Sequence, residues 1–320
     1  MLEIYLTIFF ISVLLIFLGS GVWVGISMIG VSTIGMMMFT SRPVGDAMAT
    51  TMWSMGSSWS LTALPLFVWM GEILFRTKLS ENLFKGLSPW LAKLPGGLIH
   101  VNILGCAIFA AISGSSAATV ATVGKMSIPE LRKRNYPERF LLGTLAGSGT
   151  LGLLIPPSII LIIYGVTVEE SIAKLFIAGI IPGIGLALLF MTYVVIWSLK
   201  NKKIMPLISE DFSFLEKIKK SGQLLPVVLL IFSVIGSIYA GIATATEAAS
   251  LGVLGALVLS YFQKSLNKES FTKSLLGATK TSCMIAFILA GSSFLTLAMA
   301  FTGLPKNLAV FIDTLELSPY

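Results

Sequence analysis

Long apolar runs broken by short polar or cationic stretches set the pattern of this chain. Runs at residues 2–18, 22–39, 61–75, 175–199, 224–240, 249–262 and 281–301 read as membrane-crossing helices. About 20 apolar residues cross about 30 Å of hydrocarbon. Two segments do not fit a simple crossing. Residues 98–126 are too long for one span, and Ser113-Gly114-Ser115-Ser116 interrupts their middle. Residues 139–168 are split by Gly147-Ser148-Gly149-Thr150-Leu151-Gly152-Leu153-Leu154-Ile155-Pro156-Pro157-Ser158. Adjacent prolines lack backbone donors and bias the preceding residue away from the helical region. The helix must therefore break within a membrane-length segment. Unpaired backbone at that depth is costly unless protein, water or an ion satisfies it. The break predicts a cavity, and its freed carbonyls predict a cation.

The stretches between the runs fill in the plan. Residues 19–21 are a tight connection. Residues 41–60 read as a polar loop in which Trp53 and Trp59 suit a membrane interface. Residues 76–95 form a basic connection with Leu87, Trp90, Leu91 and Leu94 on one helical face. That helix either lies on the membrane surface as an arm or packs as an ordinary loop helix. Glu169-Glu170 is an acidic turn, residues 200–220 and 264–280 are cationic loops, and 304–320 is a mixed polar end. The resulting divisions are 1–60 (scaffold helices), 61–96 (scaffold span and arm), 97–172 (hairpin and broken helix), 173–262 (connecting and scaffold spans) and 263–320.

Composition narrows the class. Hydrophobic residues make up 55% of the chain and charged residues 12%, with a mean hydropathy of +0.91. That describes a polytopic, all-α membrane protein rather than a soluble domain. The net charge of +7 sits mostly in short loops, so it reports orientation and not nucleic-acid binding. Basic residues flank 98–126 on both sides: Arg76, Lys78, Lys85 and Lys93 before it, Arg132, Lys133, Arg134 and Arg139 after it. Positive-inside bias puts both flanks in the cytoplasm, which a re-entrant hairpin with its tip at residues 113–116 achieves. The crossing count then gives an N-terminus on the outer face, which would be periplasmic in a bacterial inner membrane. Only Glu3 precedes the first apolar run, so that helix is expected to remain as an anchor rather than a cleaved signal.

Candidate chemistry is sparse. Cys106 and Cys283 give no metal spacing, and His100 has no Cys or His partner nearby in sequence. His100 reads as a helix-start or interface residue, Glu247 as a cap for the following helix, and Glu72 and Lys78 as a pair at the membrane edge. No carboxylate lies in the hairpin tip or the break. A proton-coupled carrier generally needs a titratable group in its path. Hydroxyls and free carbonyls are hard, neutral donors that suit Na+. Gly149 and Gly152 are expected to permit the backbone turn. Half-helices starting near Ser115, Ser116 and Ser158 offer bare donors and partial positive charge to an anion, with Thr119 close by. The plainer alternatives are a small-residue packing patch at 113–116 and a simply kinked helix at the prolines.

Several motifs together carry a resemblance. Gly97-Leu98-Ile99-His100-Val101-Asn102, Ile112-Ser113-Gly114-Ser115, Leu154-Ile155-Pro156-Pro157-Ser158 with Ile163-Tyr164-Gly165, Pro65-Leu66-Phe67 with Gly71-Glu72, and Gly179-Ile180-Ile181-Pro182-Gly183 resemble the large membrane (M) subunit of tripartite ATP-independent periplasmic (TRAP) transporters. Thr246-Glu247-Ala248-Ala249 resembles a further family segment, with Ala245 where the family has proline. The resemblance covers essentially the whole chain. It implies an inverted-repeat, elevator-type secondary transporter of the ion-transporter superfamily in the bacterial inner membrane. It also implies Na+ coupling, an organic-acid substrate such as a dicarboxylate or sialic acid, a small membrane (Q) subunit and a periplasmic substrate-binding (P) protein. Carried over residue by residue, it puts Na+ ligands at Ser113, Gly152, Ile155 and Pro156; Ser116, as a further hydroxyl, and Gly149 complete the expected metal site, while the expected substrate contacts Ser115, Thr119 and Ser158 rest on the half-helix N-termini. The second hairpin and second broken helix of the family pattern would begin after about Leu317, so the second repeat is expected to be incomplete here. Gly291-Ser292-Ser293 looks like another tip, but small residues for helix packing explain it as well.

Other readings stay open: a binding-protein-independent sodium/anion symporter, a channel-type pore subunit, or an intramembrane enzyme. The last would need a Ser/His, paired-Asp or metal constellation inside the spans, and none is visible, so the chain is not expected to be an enzyme.

Overall fold

A computed structural model of the chain describes residues 2–76, 79–206, 213–222 and 224–313. Among these the regular structure is helical: α1 (Leu2–Gly19), α2 (Val24–Phe39), α3 (Val44–Gly56), α4 (Ala63–Phe75), α5 (Leu79–Leu91), α6 (Ile99–Ser113), α7 (Ser116–Lys133), α8 (Glu138–Gly149), α9 (Ile159–Thr167), α10 (Ile172–Lys200), α11 (Phe214–Ser221), α12 (Leu225–Tyr239), α13 (Ala245–Phe262), α14 (Lys268–Phe301) and α15 (Leu304–Asp313). Three of them, α10, α13 and α14, are individually long and apolar enough to cross a membrane. The 29 residues of α10 extend about 44 Å. Ile177, Ile181, Ile184 and Leu188 on α10 are at least half exposed, as befits a helix whose outer face meets lipid.

Several sequence expectations are revised. Residues 41–60 are not a loop. Pro43 precedes the first residue of α3, and Asp46 sits in its first turn, where a carboxylate complements the helix dipole. The lysines of the 264–280 loop mostly lie in the first turns of α14. Asn267 caps this helix by accepting the Ser270 N–H at 2.7 Å, and Lys273 pairs with Glu269 one turn back. Because α14 runs unbroken through Gly291-Ser292-Ser293, that triplet is no hairpin tip. A Cβ at Gly291 would stand 2.9 Å from the Gly25 carbonyl, which identifies close helix packing as its role. The Glu72 partner is Arg76, at 2.9 Å; Lys78 lies outside the described residues. Glu247 does cap: it accepts the Thr244 N–H at 2.8 Å while its own N–H reaches Thr244 Oγ1 at 3.3 Å. Ala245 is the first residue of α13, a position that also tolerates proline, so the substitution leaves the helix start intact.

The chain divides into two compact units, one made of residues up to Ser58 together with those from Thr281, the other Trp59–Lys280. In the first, Leu6, Phe10, Val31 and Leu304 form a core. Gly35 and Gly30 let α2 lie against the Phe10 and Phe17 rings of α1. The second unit holds the interrupted segments. Its α4 is buried on most of its surface, including Leu64, Phe67, Met70 and Leu74. Gly252 of α13 brings that helix onto Met70.

Residues 99–133 form a helical hairpin. Its return is fixed by Tyr136, just past α7, whose hydroxyl accepts the N–H of Leu98, just ahead of α6, at 3.0 Å. Burial raises the pKa of that hydroxyl above the ordinary tyrosine value, with the Leu98 N–H and Arg134 opposing, so it stays a neutral acceptor. The 15 residues of α6 extend about 22 Å, short of the hydrocarbon thickness.

Candidate functional site

The hairpin turn follows from three residues. Gly114 ends α6 with φ 57°, and its N–H donates to the Ala110 carbonyl at 2.9 Å. A left-handed residue at this cap favours glycine. Ser115 is extended and caps α7, its Oγ accepting the Ala118 N–H at 3.5 Å. Ser113 reaches across the turn to Thr119, with 2.9 Å between their hydroxyls, and also donates to the Ser115 carbonyl at 3.3 Å. Thr119 is fully buried. Ser116 differs: its Oγ is buried and has no hydrogen-bond partner.

The break takes the form the prolines require. After α8, residues Thr150–Leu153 tighten into a 3-10 turn. The Leu151 carbonyl accepts the N–H groups of Leu154 and Ile155 at 3.1 and 2.9 Å. The Pro156-Pro157 peptide is cis. Ser158, extended and buried, precedes α9 and donates its hydroxyl to the Leu153 carbonyl at 2.7 Å. Among the described residues no backbone donor reaches the carbonyls of residues 154–157.

Tip and break meet. The N–H of Ile159 donates to the Gly114 carbonyl at 3.3 Å. A Cβ at Gly152 would stand 3.0 Å from the Ser116 nitrogen, and one at Gly149 would collide with Val120 on α7. Gly149 has φ −60° and Gly152 lies in the 3-10 turn, so neither adopts a backbone that only glycine allows. Their absent side chains let the break approach the hairpin; the expected role in turning the chain is replaced by close approach.

The structure thus gathers Ser113, Ser115, Ser116, Thr119, Gly149 and Gly152 at one junction, with Ser158 at the neighbouring start of α9. Ile155 and Pro156 belong to the same link, but their side chains turn away. A Cβ at Gly183 of α10 would stand 2.9 Å from Ile155 Cγ1, and one at Gly179 would stand 3.7 Å from Pro156 Cγ. Neither side chain brings an oxygen, and the break carbonyl that lies against the tip is that of Pro157, 2.9 Å from a Cβ built at Gly114. Both residues also line an apolar cavity of about 440 Å³ walled by α6, α10 and α12.

Residues that the sequence marked only as parts of motifs, with no role in the site, hold the junction in place. Gly71 of α4 seats the tip, since a Cβ there would come within 2.9 Å of Ser113 Cα. Gly179 seats the break, with 2.7 Å between its would-be Cβ and the Leu154 carbonyl. Asn102, buried in α6, donates to Thr144 Oγ1 at 3.3 Å and to the Leu141 carbonyl at 3.4 Å, tying the hairpin to α8. The sequence signal for these residues is membership in the Gly71-Glu72, Gly179-Ile180-Ile181-Pro182-Gly183 and Gly97-Leu98-Ile99-His100-Val101-Asn102 motifs. His100, the second residue of α6, sits within hydrogen-bond reach of the Pro95 carbonyl, at 2.9 Å from Nε2. This buried helix-start position matches the expectation. Among the described residues no group of three or more His, Cys, Asp or Glu side chains is placed to hold a metal. The junction offers neutral oxygens, two helix N-termini and no charge.

The sequence of the chain has relatives. The family model for the DctM component of tripartite ATP-independent periplasmic transporters matches residues 11–320. The chain belongs to this family. The C4-dicarboxylate TRAP transporter large permease protein DctM of Pseudomonas aeruginosa is 33% identical over 275 residues, 86% of this chain and 64% of that protein. The sialic acid TRAP transporter large permease protein SiaM of Vibrio cholerae is 31% identical over 303 residues, 94% of this chain and 70% of that protein. The isethionate TRAP transporter permease protein DctMQ of Oleidesulfovibrio alaskensis is 33% identical over 276 residues, 84% of this chain and 42% of that protein. The chain therefore spans less than two thirds of the length of some of the TRAP permeases it matches. With its apolar helices, the family assignment makes it a multi-pass membrane protein.

Proposed function

We infer that this chain is the M subunit, or the larger part of one, of a sodium-coupled TRAP importer of an organic acid in a bacterial inner membrane. A periplasmic binding protein would deliver the substrate, and a small Q subunit would complete the membrane complex. Relatives named for C4-dicarboxylates and sialic acid, and one whose name joins M and Q, support this reading. In it the hairpin is re-entrant, the N-terminus is periplasmic, and the hairpin and break belong to a moving, elevator-type domain.

One observation carries the ion reading: the hairpin tip and the break meet with the Ser116 hydroxyl buried and unpartnered beside Gly152. Na+ would take hydroxyl oxygen from Ser116 and Ser113 and carbonyl oxygen from Gly152, Ile155 and Pro156. Such a set is hard, neutral and oxygen-only. Gly149 and Gly152 would admit the close approach. The carboxylate of the substrate would face the N-termini of α7 and α9, near Ser115, Thr119 and Ser158, where unpaired N–H groups and the helix dipole favour an anion.

Uptake of a radiolabelled organic acid into proteoliposomes holding the full-length M subunit, its Q subunit and the binding protein tests the proposal. An inward Na+ gradient drives accumulation. Accumulation that follows a pH gradient with Na+ absent overturns the coupling.

A further inference from the structure

A second cavity, of about 420 Å³, opens between α8 and α10 over Ile103 of α6. Arg139, Gly143 and Gly147 follow one another at intervals of four on α8, and so share one face. Nothing lies within 4 Å of a Cβ built at Gly143, whereas one at Gly147 meets the Phe190 ring at 3.8 Å. The cleft is therefore open along Gly143 and bounded by Phe190 at Gly147. Its other end carries Arg139, which is exposed and makes no ion pair among the described residues. Tyr193 of α10, 56% exposed, shares the lining, the kind of amphipathic ring that collects at membrane interfaces. From Arg139 to Gly147 the helix rises about 12 Å.

We propose that this cleft binds one membrane phospholipid with an anionic headgroup, its phosphate on Arg139 and an acyl chain laid along Gly143 towards Gly147. Three features select this occupant. The cleft is charged at one end and mainly apolar along its length, which matches an amphiphile. The charge is a guanidinium, whose fork of donors suits phosphate. Phe190 bounds the end of the cleft away from Arg139, so the charged end and the closed end lie about 12 Å apart, a length that takes the first part of an acyl chain. The inner end adjoins Ser148, one residue before Gly149 and the break, so the bound lipid buttresses the helix end that leads into the junction.

Native mass spectrometry of the full-length protein, purified with its membrane partner from nanodiscs of equal phosphatidylglycerol and phosphatidylcholine, tests this. The wild type retains phosphatidylglycerol in preference to phosphatidylcholine. Arg139→Gln, at an exposed position, lowers phosphatidylglycerol retention about five-fold and phosphatidylcholine retention less, because choline already offsets the charge of the phosphate that meets the guanidinium. Gly143→Leu, which grows into open space, lowers retention of both. Equal retention of the two lipids by the wild type overturns the proposal, as does unchanged retention in either variant. Gly143→Leu that keeps its lipid but sheds the small subunit would assign the cleft to a partner helix and overturn it too.

Discussion

Ser116 and Ser113 sit three residues apart at the same turn, yet their hydroxyls are in different situations. Ser113 is tied to Thr119 at 2.9 Å, while Ser116 Oγ is buried with no partner. A buried, unsatisfied hydroxyl costs about 1–3 kcal/mol. If Ser116 served packing alone, Ser116→Ala would stabilise the protein and leave transport unchanged. The ion reading predicts instead that Ser116→Ala raises the half-saturating Na+ concentration for uptake about ten-fold, equivalent to about 1.4 kcal/mol. Sodium titration of uptake checks this. Ser113→Ala is expected to lower stability by about 0.5–1.5 kcal/mol as well as weakening Na+ activation; unchanged activation removes Ser113 from the site. Gly114→Ala is the severe case. The residue must hold φ 57° with its Cβ 2.9 Å from the Pro157 carbonyl. The left-handed backbone alone costs about 1–2 kcal/mol, so a lower melting temperature and loss of uptake are expected together.

Among elements, those with a strong local reason were legible in the sequence. The double proline forces a break wherever it stands, and Ser-Gly-Ser between apolar runs supplies a helix stop and a helix start in succession. Both appear where expected, at Gly114-Ser115 and after Leu153. The helices hidden in polar sequence were not legible. α3 has no buried residue to mark an inward face, and the lysines at the start of α14 disguised a helix as a loop. Nor could the sequence show that Ile155 and Pro156 turn their side chains towards α10, because the seat is made by glycines that carry no chemistry of their own. This seat yields a paired prediction. Gly179→Ala puts a methyl 2.7 Å from the Leu154 carbonyl, so the break must shift and uptake falls. Gly185→Ala, further along the same helix with nothing within 4 Å of its Cβ, leaves uptake unchanged. Uptake assays with both variants at equal expression decide it.

On the scale of the whole molecule, the hairpin of α6 and α7 and the helix broken between α8 and α9 meet within a single unit of the fold. The family model matches nearly the full chain, which covers 64% of the length of the Pseudomonas aeruginosa DctM protein, and the proposed substrate, coupling and partners belong to the full-length complex. They make a joint prediction. Uptake by the full-length complex depends on both Na+ and the binding protein, and omitting either reduces it to the level of empty vesicles. Uptake without the binding protein would favour the independent symporter reading.

The central claim is that the oxygens where hairpin and break meet hold Na+. The melting temperature of the full-length protein against Na+ concentration, with choline replacing Na+ at constant ionic strength, tests it most directly, because a ion that binds only the folded state raises stability with its concentration. The account predicts a rise with Na+ in the wild type and none in the Ser113→Ala/Ser116→Ala double variant. An equal rise in both proteins, or no rise in the wild type, contradicts it.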